Sequence, residues 1–182
     1  MITVKKLATQ AASITLALMV SACTTTEHSA QSAQANGHHQ ANPQYHVGPI
    51  TSYTLLEHYK VFAENKTSDE TSVTDLELLD LANQLNNRKV VVVFGTWCHD
   101  SQREVPRLLN LLDKVRDHHS EVQFELELIG TAPYQLRDKN LIKKYSLTAV
   151  PTIMLFDNGQ EIGRVVEHSK ISLAADIVNM KL

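Results

Sequence analysis

Apolar positions along the chain fall into three regimes. Residues 7–20 are mostly apolar and uncharged, residues 24–44 contain no Val, Ile, Leu, Met, Phe, Tyr or Trp, and from Ile50 apolar residues recur at regular spacing. In the third regime Leu55, Leu56, Tyr59 and Phe62 fall at helical spacing, as do Leu76, Leu79 and Leu85, around a polar, turn-prone stretch at 66–72. This pattern predicts two helices, or one helix and a looser segment, over residues 51–86. Val90-Val91-Val92-Val93-Phe94 is an unbroken run of the kind found in a strand buried on both faces. Gly95-Thr96-Trp97 interrupts it. A helix is expected from about His99, with Val105, Leu108, Leu109, Leu112 and Val115 inward and Pro106 in its second turn.

Val122, Phe124, Leu126 and Leu128 alternate with Gln123, Glu125 and Glu127, which predicts a second strand with one polar face. Residues 136–145 read as a short helix with Leu141, Ile142 and Tyr145 on one side. Residues 152–156 and 161–166 flank Asp157-Asn158-Gly159-Gln160, and Asn-Gly is a strong hairpin signal. A helix over 171–180, with Leu173 and Ile177 inward, closes the chain. The predicted order is β-α-β-α-β-β-α, an α/β fold without internal repeats.

Composition changes the picture mainly at the N-terminus. Lys5 and Lys6 precede the apolar stretch, and small residues end it at Val20-Ser21-Ala22-Cys23. A basic start, a short apolar core and small residues make a secretory leader, too short for a comfortable membrane span. The ending resembles a bacterial lipobox, which implies cleavage before Cys23 and lipidation of its thiol; the competing reading is a plain signal peptide with Cys23 incidental. Thr24, where inner-membrane lipoproteins often carry Asp, favours the outer membrane by the same resemblance. The expected organisation is a leader at 1–22, a lipidated cysteine and disordered polar tether at 23–49, a helical lead-in at 50–87 and a folded domain at 88–182. His28, His38 and His39 in the tether read as solvated polar residues rather than metal ligands. Asn65-Lys66-Thr67 matches a glycosylation sequon, discounted in a bacterial chain.

The formal charge is −3, and loss of Lys5 and Lys6 with the leader takes it to −5. No block of Lys and Arg exists to track a phosphate backbone, so nucleic acid is not expected as a partner. The two cysteines, Cys23 and Cys98, exclude a disulfide-dense scaffold and a zinc site built from several thiolates.

The segment Phe94-Gly95-Thr96-Trp97-Cys98-His99-Asp100-Ser101 resembles the active-site segment of thioredoxins, which place W-C-x-x-C between a central strand and a helix. Pro106 matches the kink of that helix, Val150-Pro151-Thr152 the cis-proline loop, and Leu155-Phe156-Asp157-Asn158-Gly159 the hairpin that follows. The resemblance covers residues 88–182 and is closest to the membrane-tethered TlpA/ResA-like branch, whose motif continues with a Glu two residues before the proline, where Glu104 stands. It implies a thioredoxin fold, a mixed four-stranded central sheet flanked by helices, here with an N-terminal helical extension. Three positions depart from the family. Ser101 replaces the resolving cysteine, Val92 stands where cytosolic thioredoxins bury an Asp, and His99-Asp100 replaces Gly-Pro.

The chemistry follows from the missing thiol. A cysteine opening a helix meets unpaired N–H groups and the positive end of the macrodipole, which favour thiolate. An imidazolium at His99 adds to that field and Asp100 opposes it, and Ser101 is placed to donate a hydrogen bond to the sulfur. Without a second thiol the domain forms no internal disulfide, and Ser101 is too weak a nucleophile to resolve a mixed one. Monothiol exchange remains, with cysteine-containing clients or small thiols as partners. By resemblance, Pro151 and the Val150 backbone line the client groove and Trp97 covers its rim. Glu104 reads either as an acid/base near the sulfur or as a favourable acidic residue in the first turns of a helix. No cofactor is implied. The alternatives are an inert buried thiol, a redox-silent adaptor, and a Cu(I) site built on Cys98 and His99 with a further His or Glu.

Overall fold

The computed structural model describes residues 45–68 and 72–181. The leader, Cys23, and the tether histidines His28, His38 and His39 lie outside the described residues.

The Val-rich run forms the centre of the sheet. Strand β2 (Arg88–Phe94) lies between β3 (Phe124–Gly130), to which it is parallel, and β4 (Thr152–Asp157), to which it is antiparallel. Strand β5 (Gln160–Val166) pairs antiparallel with β4, and β1 (Gly48–Ile50) pairs antiparallel with β3. The sheet order is β1-β3-β2-β4-β5. Period-two alternation sends Val90, Val92 and Phe94 into one core and Val91 and Val93 into the other. Both faces of β2 are therefore covered, which explains a strand with no polar face. Val92 is fully buried between Leu128 and Ile153 in an apolar core.

The larger core lies under α4 (His99–His118), α3 (Asp75–Leu85) and α6 (Leu173–Val178), with Leu108, Leu112 and Val115 fully buried. The smaller core gathers Tyr145 from α5 (Lys139–Tyr145) with Leu147, Val150 and Met154. A 3-10 turn at Tyr134–Leu136 precedes α5. At the β4–β5 turn Asn158 and Gly159 both take positive φ, 48° and 82°, the geometry for which Asn-Gly is suited.

This is a thioredoxin fold, as the sequence resemblance implies, with two differences from the expected detail. The sheet has five strands rather than four, because residues 48–50 add an edge strand to β3. The lead-in is three helices: α1 (Ser52–His58) and α2 (Lys60–Ser68) are separated at Tyr59, and α3 follows. In α3 the inward residues are Leu78, Leu81, Ala82 and Leu85, whereas Leu76 and Leu79 face solvent. The sequence Asp75-Leu-Glu-Leu-Leu-Asp-Leu carries apolar residues at helical spacing in two phases, and packing selects the second. No described helix is long and apolar enough to cross a membrane.

Candidate thiol site

Strand β2 ends at Phe94 and α4 begins at His99, so residues 95–98 form a short corner at the strand's C-terminal end. Gly95 leaves room for the Trp97 indole there. A Cβ on it would stand 2.6 Å from Cε2 and 2.7 Å from Nε1 of Trp97. The indole folds back over the corner and donates from Nε1 to the Thr131 carbonyl at 2.9 Å, leaving Trp97 38% exposed.

Cys98 is the N-cap residue of α4, with φ −90° and ψ 123°, and its side chain caps no backbone N–H. The thiol is half-buried and donates to the Val150 carbonyl at 3.3 Å. The Val150–Pro151 bond is cis, and both residues are buried. The structure thus brings together Trp97, Cys98, Val150 and Pro151. Asp100 is ion-paired to Arg103 at 2.9 Å. His99 is exposed.

Ser101 and Glu104 both lie in the first two turns of α4. Ser101 is fully buried, and its Oγ accepts the Gly95 N–H at 3.1 Å, stitching the corner to the first turn of α4. The hydrogen bond found at the sulfur is the one to Val150. Glu104 Oε1 accepts from Arg103 Nε at 2.7 Å and Arg107 Nη1 at 3.3 Å. The hydrogen bond from Arg103 to Glu104, with Asp100 adding to it, holds that guanidinium above its ordinary range. Glu104 lines a cavity of about 270 Å³ with Glu77, Lys114, Ser169 and Leu173, and Cys98 is not part of that lining.

Sequence reasoning missed the groups that brace the corner. The His46 N–H donates to Thr96 Oγ1 at 3.0 Å, Gln102 Nε2 donates to the Thr96 carbonyl at 2.8 Å, and Asn65 Nδ2 donates to the Gln102 carbonyl at 2.8 Å. The segment 46–65 is thereby fastened to the thiol corner. Sequence reasoning also missed Arg137, which is buried in the segment between β3 and α5. Among the described residues no group of three or more His, Cys, Asp and Glu is arranged to hold a metal ion.

The fold and this corner define the class, a thioredoxin-fold protein with Cys98 at the start of the helix that follows the central strand. No family model matches the sequence, and neither does any curated protein sequence. Solved structures similar to it include a Pseudomonas aeruginosa protein of unknown function, at 19% identity over 64% of this chain and 67% of that one, TM-score 0.46. Thioredoxin from Fasciola hepatica is similar at 24% identity over 59% of this chain and 92% of that one, TM-score 0.36. Mitochondrial thioredoxin 3 from Saccharomyces cerevisiae is similar at 22% identity over 56% of this chain and 86% of that one, TM-score 0.31.

Proposed function

We propose that this chain is a bacterial cell-envelope protein, lipid-anchored through Cys23 and facing the periplasm, with the outer membrane favoured, that performs monothiol thiol-disulfide exchange at Cys98. The observation that carries the reading is the position of the sulfur. It lies at the N-terminus of a 20-residue helix, half-buried, against the Val150 carbonyl that precedes cis Pro151. Thiolate is the attacking species in disulfide exchange.

The thiolate attacks one sulfur of a client disulfide. A Cys98–client bond forms as the client bond breaks, and the second client sulfur leaves as thiolate. With serine at position 101, release needs a thiol from the client or from a small molecule, so the mixed disulfide is the species expected to accumulate. Kinship with TlpA/ResA-like proteins is part of the same proposal, supported by Glu104 two residues before Pro106.

Acid-quenching cells, separating proteins without reduction and identifying what is bonded to Cys98 tests the reading. Reducible adducts are expected on the wild-type chain and absent from Cys98→Ala. A wild-type chain without adducts, whose purified thiol also takes no group from added disulfides, supports binding without turnover instead.

A further inference from the structure

Residues 46–65 run alongside the thiol corner and are fastened around it at three places. The His46 N–H donates to Thr96 Oγ1 at 3.0 Å. Asn65 Nδ2 donates to the Gln102 carbonyl at 2.8 Å, and Gln102 Nε2 in turn donates to the Thr96 carbonyl at 2.8 Å. Thr96, buried two residues before Cys98, is thereby held at both its hydroxyl and its carbonyl. The third place is the end of β3. A Cβ on Gly130 would stand 2.7 Å from Cδ2 of His46 and 2.8 Å from its carbonyl oxygen, so the segment lies directly on that glycine. The next residue, Thr131, donates its N–H to the Phe94 carbonyl at 2.8 Å and accepts the Trp97 indole N–H at 2.9 Å.

An aromatic series runs inward from the same segment to the end of β2. Edge contacts link His46 to Tyr59, Tyr59 to Phe62 and Phe62 to Phe94, with centroids 6.4, 6.4 and 5.8 Å apart. Phe62 and Phe94 are fully buried, so the series is packed as core rather than laid on the surface. Residues 95–98 themselves belong to neither strand nor helix, and no ladder fixes them. Within the corner they have the Gly95–Ser101 and Cys98–Gly95 bonds, and the remaining ties come from outside it.

We infer that residues 46–65 form a positioning strap for the thiol, fixing through His46 and Asn65 where the corner holds the Cys98 sulfur. The inference rests on the exchange reading above and adds to it groups that act only through Thr96 and Gln102. A displacement of about 1 Å at a reacting group costs up to about a hundredfold in rate. Releasing the strap therefore slows exchange with an extended client, whose disulfide must meet the sulfur beside the Val150–Pro151 loop. A small reagent needs only access to the sulfur and is not slowed.

The test uses the full-length protein. Thr96→Val removes the oxygen that accepts the His46 N–H, Thr96→Ser keeps it, and Gly130→Ala pushes the strap off the end of β3. Mixed-disulfide formation with a cystine-bridged peptide, followed by mass, should slow about tenfold in Thr96→Val and Gly130→Ala. Alkylation of Cys98 by iodoacetamide should not slow in either, and Thr96→Ser should match wild type in both reactions. Thr74→Ala, which removes the side-chain cap of α3, should exchange at the wild-type rate. Wild-type exchange in both strap variants, equal slowing in Thr74→Ala, or alkylation slowed as much as exchange overturns the strap. Acrylamide quenching of Trp97, the single tryptophan, should rise in Thr96→Val and Gly130→Ala and stay unchanged in Thr96→Ser. A wild-type chain that forms no mixed disulfide overturns the exchange reading. Quenching then decides the strap alone, and unchanged quenching in both variants overturns it.

Discussion

Ser101 stands three residues after Cys98, and its oxygen accepts the Gly95 N–H from full burial. The position therefore stabilises the corner and, on the proposed exchange reading, supplies no second thiol. Ser101→Cys restores a second thiol at the cost of that hydrogen bond, about 1 kcal/mol. We expect the variant to form an internal disulfide between Cys98 and the introduced thiol under mild oxidation, read as loss of two free thiols by mass, and to gain turnover in disulfide reduction. Two thiols that stay free under oxidant would mean the corner does not bring them together. Gly95→Ala tests the same corner from the strand side. Its Cβ would collide with the indole, so Trp97 should swing out and lose its bond to Thr131, destabilising the protein by about 1 kcal/mol. Trp97 is the single tryptophan, so its emission reports directly, and a red shift is expected. Unchanged emission would place the indole elsewhere. Trp97, Cys98 and Val150-Pro151 were legible because rare residue types stood in order at loop ends. Arg137 was not, because one arginine in a polar loop says nothing until burial isolates it.

Elements differ in how far their own sequence specifies them. Helix α3 starts with a capping box: Thr74 Oγ1 accepts the Glu77 N–H at 3.2 Å, and Glu77 Oε2 accepts the Thr74 N–H at 2.8 Å. Thr74→Ala should lower stability by about 1 kcal/mol in denaturant unfolding. The Thr74 backbone N–H, and then its hydroxyl, hold the Glu77 carboxyl below its ordinary value of 4.5. A depressed folded value means the stabilisation is complete above 4.5 and is lost as pH falls through the lower folded value. Glu77→Gln should therefore be less stable than wild type near neutral pH, with the gap closing in acid. A gap constant with pH would show that the carboxylate is not its source. The cap is readable as Thr-x-x-Glu, yet the inward face of the same helix is not, since Leu76 and Leu79 fit one stripe and Leu78, Leu81 and Leu85 another. Strand β1 is too short to show a period. Its three residues, Gly48–Ile50, become a strand because β3 has an open edge.

At the scale of the molecule, the proposed function gives the two cysteines separate tasks, anchoring for Cys23 and exchange for Cys98. Near the start of the described residues, the His46 N–H bonds Thr96, two residues before Cys98. The described sheet and both described cores lie C-terminal to His46, so on the proposed reading the anchor is not one of the residues that build them. Cys23→Ser should therefore move the protein from the membrane to the soluble periplasmic fraction while leaving its melting temperature and the alkylation rate of Cys98 unchanged. Cys98→Ala should do the reverse, removing mixed disulfides without altering fractionation. The pair distinguishes two ways in which the anchor can matter. If it only raises local concentration, Cys23→Ser forms the same adducts more slowly. If it selects clients, the variant loses membrane-associated partners and keeps reacting with small disulfides at the wild-type rate. Continued membrane fractionation of Cys23→Ser would contradict lipid anchoring and leave the thiol chemistry to stand on the corner at Cys98 alone.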